Sequence, residues 1–150
     1  LLEDVVHTAI MNYMDSLIQK KISLDVYNLE NYVYIDEKWI TFIICQVLQN
    51  SIKYLNKPEK IIKIHSENNE NNVVLVIEDN GEGILDHDLP RVFEYGFTGT
   101  DRQKQYSTGI GLYLCKKLCN KMNLDIKIES QYKKFTKVKI IFPKTNLYRQ

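Results

Sequence analysis

The sequence predicts an α+β fold, a two-layer sandwich with one mixed sheet packed on helices, and three observations carry that prediction. The 150 residues supply enough chain for one core of ordinary size and too little for two, so 1–150 reads as a single domain. Hydrophobic spacing switches repeatedly between the three- and four-residue recurrence of helices and the alternation of strands. The order of these segments is irregular and includes one long hairpin, which a strict alternation of strand, helix and strand would not give.

Val5, Val6, Ala9, Ile10, Met14, Leu17 and Ile18 recur at helical spacing, which predicts a leading helix over about 3–20. Leu24 and Val26, then Tyr32 to Ile35, read as two short strands about a polar turn. Asp36 suits an N-cap for a helix over about 37–55. That helix places Ile40, Ile43, Ile44, Val47, Leu48 and Ser51 on its buried side, with Gln46, Asn50 and Lys53/Tyr54 on an adjacent stripe. Runs 60–66 and 73–79 are strands joined by the polar segment 67–72. A short helix is expected over 88–94, and 95–108 has no apolar period, as a mobile loop should. Ile110, Leu114, Leu118 and Met122 mark a helix starting near Gly109–Gly111. Strands follow near 124–130 and 135–142, and 144–150 is expected to fray.

Composition narrows the function. Twenty Lys/Arg against 19 Asp/Glu leave a formal charge of +1, which argues against a nucleic-acid binder working through bulk charge. The longest apolar runs, such as 73–77, fall far short of the roughly 20 residues that span a bilayer. The chain opens without Met and reads as a fragment. Three cysteines without a Cys-x-x-Cys pair suit a reducing compartment rather than a disulfide framework.

Four segments carry the chemistry: Gln46-Val47-Leu48-Gln49-Asn50-Ser51-Ile52-Lys53-Tyr54, Asp79-Asn80-Gly81-Glu82-Gly83-Ile84, Phe93-Glu94-Tyr95-Gly96-Phe97 and Ser107-Thr108-Gly109-Ile110-Gly111-Leu112. Taken singly, Asn50 could be a helix-surface amide, Asp-Asn-Gly a turn, and Gly109/Gly111 a packing or hinge feature. In this order they resemble the N, G1, F and G2 boxes of the catalytic, ATP-binding domain of two-component sensor histidine kinases. That family lies within the wider superfamily of gyrase, Hsp90, histidine kinase and MutL. Asp88-Leu89-Pro90-Arg91-Val92-Phe93 and Phe97-Thr98-Gly99 look most like the Firmicute, intramembrane-sensing kinases that respond to antimicrobial peptides.

The resemblance implies a Bergerat-type ATP-binding fold with ATP and Mg²⁺ as ligands. It implies that Asn50 helps hold Mg²⁺, that Lys53 balances phosphate charge and Tyr54 lines the base pocket, and that Asp79 reads the adenine amino group. Gly81, Gly83 and Ile84 shape the base site, while Thr108, Gly109, Ile110, Gly111 and Leu112 meet the phosphates at a helix start. Segment 95–108 becomes an ATP lid anchored by Phe93 and Phe97, with Arg102 and Lys104 as candidate phosphate contacts. Thr98 departs from the Arg that many members place there.

Gln46 is a second departure. Superfamily members that hydrolyse ATP hold a Glu one helical turn before the metal-binding Asn, and an amide cannot take up a proton usefully. A histidine nucleophile, with its pKa of about 6.5, needs no such base. Gln46 is left to orient a metal-bound water. None of His7, His65 and His87 sits in a phosphoacceptor pattern, so the resemblance puts the phosphorylated histidine on a separate dimerisation domain of the same parent, with a response regulator downstream. The expected setting is the cytoplasmic side of a bacterial membrane protein, the fragment monomeric and the parent a homodimer. Cys115 and Cys119 read as small buried apolar residues, and Lys116, Lys117 and Lys121 as a solvated basic face. An ATPase or clamp module of the same superfamily, and a degenerate nucleotide-binding scaffold, are the alternatives.

Overall fold

Alternating apolar residues along the strands need a layer to cover them, and the helices supply it on one face only. The computed structural model describes residues 1–98 and 109–144. Its elements run α1 (Leu2–Asn12), α2 (Met14–Gln19), β1 (Ile22–Tyr27), α3 (Glu37–Lys53), β2 (Lys60–Asn68), β3 (Asn72–Asp79), a 3₁₀ turn (Leu89–Arg91), α4 (Gly111–Lys121), β4 (Asp125–Gln131) and β5 (Phe135–Pro143). The five strands form one mixed sheet in the order β1-β2-β3-β5-β4. β1 and β2 are parallel across the α3 crossover, and every other pair is antiparallel. The predicted α+β sandwich is the fold observed.

Strand parity sets what each face does. Ile62, Ile64, Leu75, Ile77, Val138 and Ile140 point toward the helices and are buried with Ile40, Ile43, Ile44, Val47 and Leu48 of α3. On the opposite face Asp25, Lys63, Glu78, Lys137 and Glu129 are register partners in a single row, a charge alternation that crosses all five strands. Opposite charges placed side by side suit a solvated surface. Among the described residues no helix is long and apolar enough to cross a membrane.

Several expectations change in detail. The single helix over 3–20 is two helices broken at Tyr13, where the N–H of Tyr13 bonds to Ile10 O three residues back. Leu17 keeps its place in the core across the break, so the apolar spacing gives no sign of it. Residues 32–35 form no strand: Val33 and Ile35 pack on the core, but the backbone finds no ladder partner. Helix α3 ends at Lys53 rather than 55, with Lys20 Nζ donating to Ile52 O in its last turn at 3.0 Å. Asp36 does cap it, Oδ1 accepting from Lys38 N at 2.9 Å. The β2–β3 turn narrows to 69–71, where Asn69 Oδ1 accepts from Asn71 N and Asn72 N. The helix over 88–94 shrinks to the 3₁₀ turn, with Pro90 inside it. Most of the predicted lid (99–108) and of the tail (145–150) lies outside the described residues.

Candidate nucleotide site

The end of the sheet and two helix termini enclose a cavity of about 270 Å³. Its walls come from all four segments singled out in the sequence, including Gln46, Asn50, Asp79, Gly83, Phe97 and Gly109. Helical spacing on α3 brings Gln46, Asn50 and Lys53 to one wall, because the buried side of the helix is spent on the core. Lys53 is exposed and its Nζ lies 5.7 Å from the centre of the Tyr54 ring, so cation and ring share the cavity rim.

The floor is the last inward-facing row of the sheet. Leu24, Ile62, Asp79, Thr136 and Ser130 are register partners in that order, so the row turns from apolar to polar where the cavity opens. Asp79 is 5% exposed, and its Oδ1 accepts from Gly81 N at 2.9 Å. Burial pushes its carboxyl up to about 6; the Gly81 N–H and the Ser51 hydroxyl oppose the rise, and Glu78 adds to it. At neutral pH the group is still ionised, a buried acceptor facing the cavity.

The G1 segment is tied from two sides. Glu82 N donates to Tyr54 O at the end of α3, and Glu82 O accepts from Lys133 N in the β4–β5 turn. Gly83 is held at φ 73°, and a Cβ there would run into the Gln131 carbonyl, so both backbone and space demand glycine. Gly81 is buried behind the wall, where a Cβ would meet Tyr54 O at 2.7 Å and Asp79 Oδ1 at 2.8 Å. It lets the backbone fold under Asp79 and does not itself line the cavity.

The other expected residues divide similarly. Ile84, Gly111 and Leu112 line the cavity, whereas Ile110 is the N-cap position of α4 and stands outside the wall. The Gln46 amide oxygen lies against Gly111, joining α3 to the first turn of α4. Phe97 lines the wall with the Arg91 guanidinium 4.5 Å from its ring centre, and Phe93 packs on the core with Lys116 Nζ at 5.5 Å from its own. Gly96 N donates to Gly109 O at 3.1 Å, which ties the chain after Phe93 to the start of α4. Thr108, Arg102 and Lys104 lie outside the described residues.

Sequence reasoning missed Ser51, Asp88 and Thr136. All three line the cavity, Asp88 at 4% exposure with His87 Nε2 3.5 Å away. Parity could have found Thr136, since Val138, Ile140 and Phe142 face the core and the same count places Thr136 inward. Asp88 opens a stretch quoted above for its resemblance, but nothing in the local sequence marks it as a cavity residue. Of the remaining histidines, His7 is exposed and His65 stacks on Tyr27 at 4.8 Å. Cys115 and Cys119 are fully buried, and burial pushes their thiols up to about 12 and about 11, as expected of packing residues.

Asn50 is the metal-facing candidate. Mg²⁺ takes oxygen ligands, keeps several waters and leans on substrate phosphates, so one amide oxygen beside an open cavity fits it. Among the described residues no group of three or more His, Cys, Asp or Glu could form an all-protein cage.

Comparison with known proteins agrees with this geometry. Residues 35–146 match the family described as histidine kinase-, DNA gyrase B- and HSP90-like ATPase. The chain is 40% identical over 129 residues to the sensor protein kinase GraS of Staphylococcus aureus strain JH1, covering 85% of this chain and 37% of that protein. It therefore spans little more than a third of the curated relatives it matches. The mycobacterial sensor histidine kinase MprB superposes with a TM-score of 0.82 at 20% identity, over 95% of each chain. The catalytic domain of the histidine kinase ThkA gives 0.79 at 20% identity, over 95% of this chain and 94% of that one. These two structures speak for the fold, and the family match covers most of the chain. The chain belongs to the histidine kinase-, DNA gyrase B- and HSP90-like ATPase family.

Proposed function

We propose that this chain is the ATP-binding catalytic domain of a sensor histidine kinase, holding Mg²⁺-ATP and presenting its γ-phosphate to a histidine on a separate helical domain of the same parent. The observation that carries the reading is the cavity itself, which gathers a buried carboxylate, a helical Asn and a glycine-flanked helix start from distant segments. Asp79 accepts the adenine amino hydrogen, Gly83 lets the base come close, and Tyr54 and Ile84 supply apolar wall. Asn50 would hold the metal, which when bound neutralises charge on the phosphate oxygens. Lys53 and the N–H groups of the first turn of α4 meet the same polyanion. Catalysis by this chain is then positioning and charge stabilisation, with the nucleophile brought from outside.

Gln46 decides between this reading and an ATPase. Its amide sits against Gly111 in the cavity wall and cannot take a proton from water, so hydrolysis has no base at that position. We further propose that the parent is a homodimer at a bacterial membrane, with this domain on the cytoplasmic side and a response regulator as onward acceptor, as the resemblance to two-component sensor kinases implies. Calorimetric titration with Mg²⁺-ATP tests the reading: the chain binds at micromolar to millimolar nucleotide and turns it over slowly. No heat at millimolar nucleotide would sink the reading, and fast turnover by the isolated chain would shift it to the ATPase.

A further inference from the structure

Ser130 is not in the cavity wall, yet three groups that matter to the floor converge on its hydroxyl. Ser130 Oγ lies 2.7 Å from Phe135 O, 2.8 Å from Ile84 N and 3.2 Å from Thr136 Oγ1. A serine hydroxyl has one hydrogen and two lone pairs. Phe135 O is a carbonyl and can only accept, so it takes the Ser130 hydrogen. Ile84 N can only donate, so it fills one lone pair. The contact with Thr136 must then run from the Thr136 hydroxyl to Ser130, which spends the only hydrogen Thr136 has. What Thr136 turns to the cavity is lone pairs.

We infer that Ser130 is a positioning residue that fixes the Thr136 hydroxyl as an acceptor, so that the floor of the base site only accepts hydrogen bonds. Asp79 beside it is a carboxylate whose neighbours Gly81 and Ser51 already donate to it, and it too offers only acceptors. Two adjacent acceptors set against the purine 6-position match the two hydrogens of an amino group, directly or through an ordered water. They reject a carbonyl at the purine 6-position. The inference rests on the reading that the base lies at the Asp79 end, and it adds a residue behind the wall that sets which purine is admitted.

The test compares ATP with inosine triphosphate, which carries a carbonyl where adenine has its amino group, by calorimetry on the whole chain. Ser130→Ala frees the Thr136 hydroxyl to turn its hydrogen inward, so ATP binding falls about fivefold while inosine triphosphate holds or gains, and the preference for ATP shrinks. Ser130→Thr, which keeps the hydroxyl, restores the preference. On a Thr136→Val background Ser130→Ala changes the preference no further. Thr136→Ser retains it, a measurement that does not depend on how well Ser130→Ala folds. Equal weakening of both nucleotides by Ser130→Ala, or an effect that adds fully to that of Thr136→Val, overturns the positioning role. If Asp79→Asn leaves both affinities untouched, the base is not read here and the underlying reading fails with it.

Discussion

Asp79 shows how a single side chain can be costly to the fold and, on the proposed function, necessary to the site. Its carboxyl titrates near 3.8 when solvated and at about 6 in the fold, so the folded chain holds the proton more tightly than the unfolded one. The ionised form is therefore destabilising above pH 6, on the order of 3 kcal/mol, and the penalty fades as pH falls through 6 toward 3.8. Asp79→Asn should accordingly raise the melting temperature, by roughly 5 °C, while ATP affinity drops at least tenfold. Scanning calorimetry with and without nucleotide reads both effects, and a variant that loses stability contradicts the account. The same titration predicts that wild-type affinity at pH 5 is about tenfold below its value at neutral pH, and that Asp79→Asn loses this pH dependence. At Asn50 the expectation concerns the metal: Asn50→Ala should abolish the gain in ATP affinity that Mg²⁺ gives, so that titrations with and without chelator coincide. Asp79 and Asn50 were legible because their neighbours form an ordered set of motifs. Strand parity turns Thr136 inward, but it becomes part of the floor, with Ser130 behind it, only when β5 is placed between β3 and β4.

At the scale of elements, helices with one apolar side were read well and backbone partners were not. Asp36 before an apolar period announced α3, and its side chain caps the helix as expected. Asp36→Ala should cost about 1 kcal/mol, read as a lower denaturation midpoint with an unchanged slope. Residues 32–35 alternate just as a strand would, because alternation reports which side chains meet the core. It says nothing of whether another strand lies alongside. The break at Tyr13 escaped for a similar reason, since Leu17 remains in register with Ile10 across it. The G1 segment depends on the distant β4–β5 turn: Gly83 abuts the Gln131 carbonyl, and Glu82 O bonds to Lys133 N. Gly83→Ala combines a left-handed φ with a backbone clash and should cost on the order of 3 kcal/mol together with measurable nucleotide binding. Wild-type-like stability in that variant would mean the turn does not hold the segment as described.

For the whole molecule, near-zero net charge and an anionic ligand are reconciled by where the charges sit. The row from Asp25 to Glu129 balances itself on the solvent face, so it sets up no broad field. On the proposed function, phosphates would be met instead by Lys53 and the start of α4, on the other face, at the end where the sheet row turns polar. On that proposal the arrangement would bind nucleotide without supplying a nucleophile, and the Gln46 amide offers no base to let water serve. The central claim is that this chain is the donor half of a phosphoryl transfer. The most direct measurement is incubation with Mg²⁺-ATP radiolabelled at its γ-phosphate, together with the helical histidine-bearing domain of its own parent protein, followed by gel autoradiography. The account predicts acid-labile label on that domain with the wild-type chain, and none with Asn50→Ala or with the acceptor histidine replaced. Label that persists without Asn50, or tight ATP binding with no transfer to the wild-type acceptor, would contradict it.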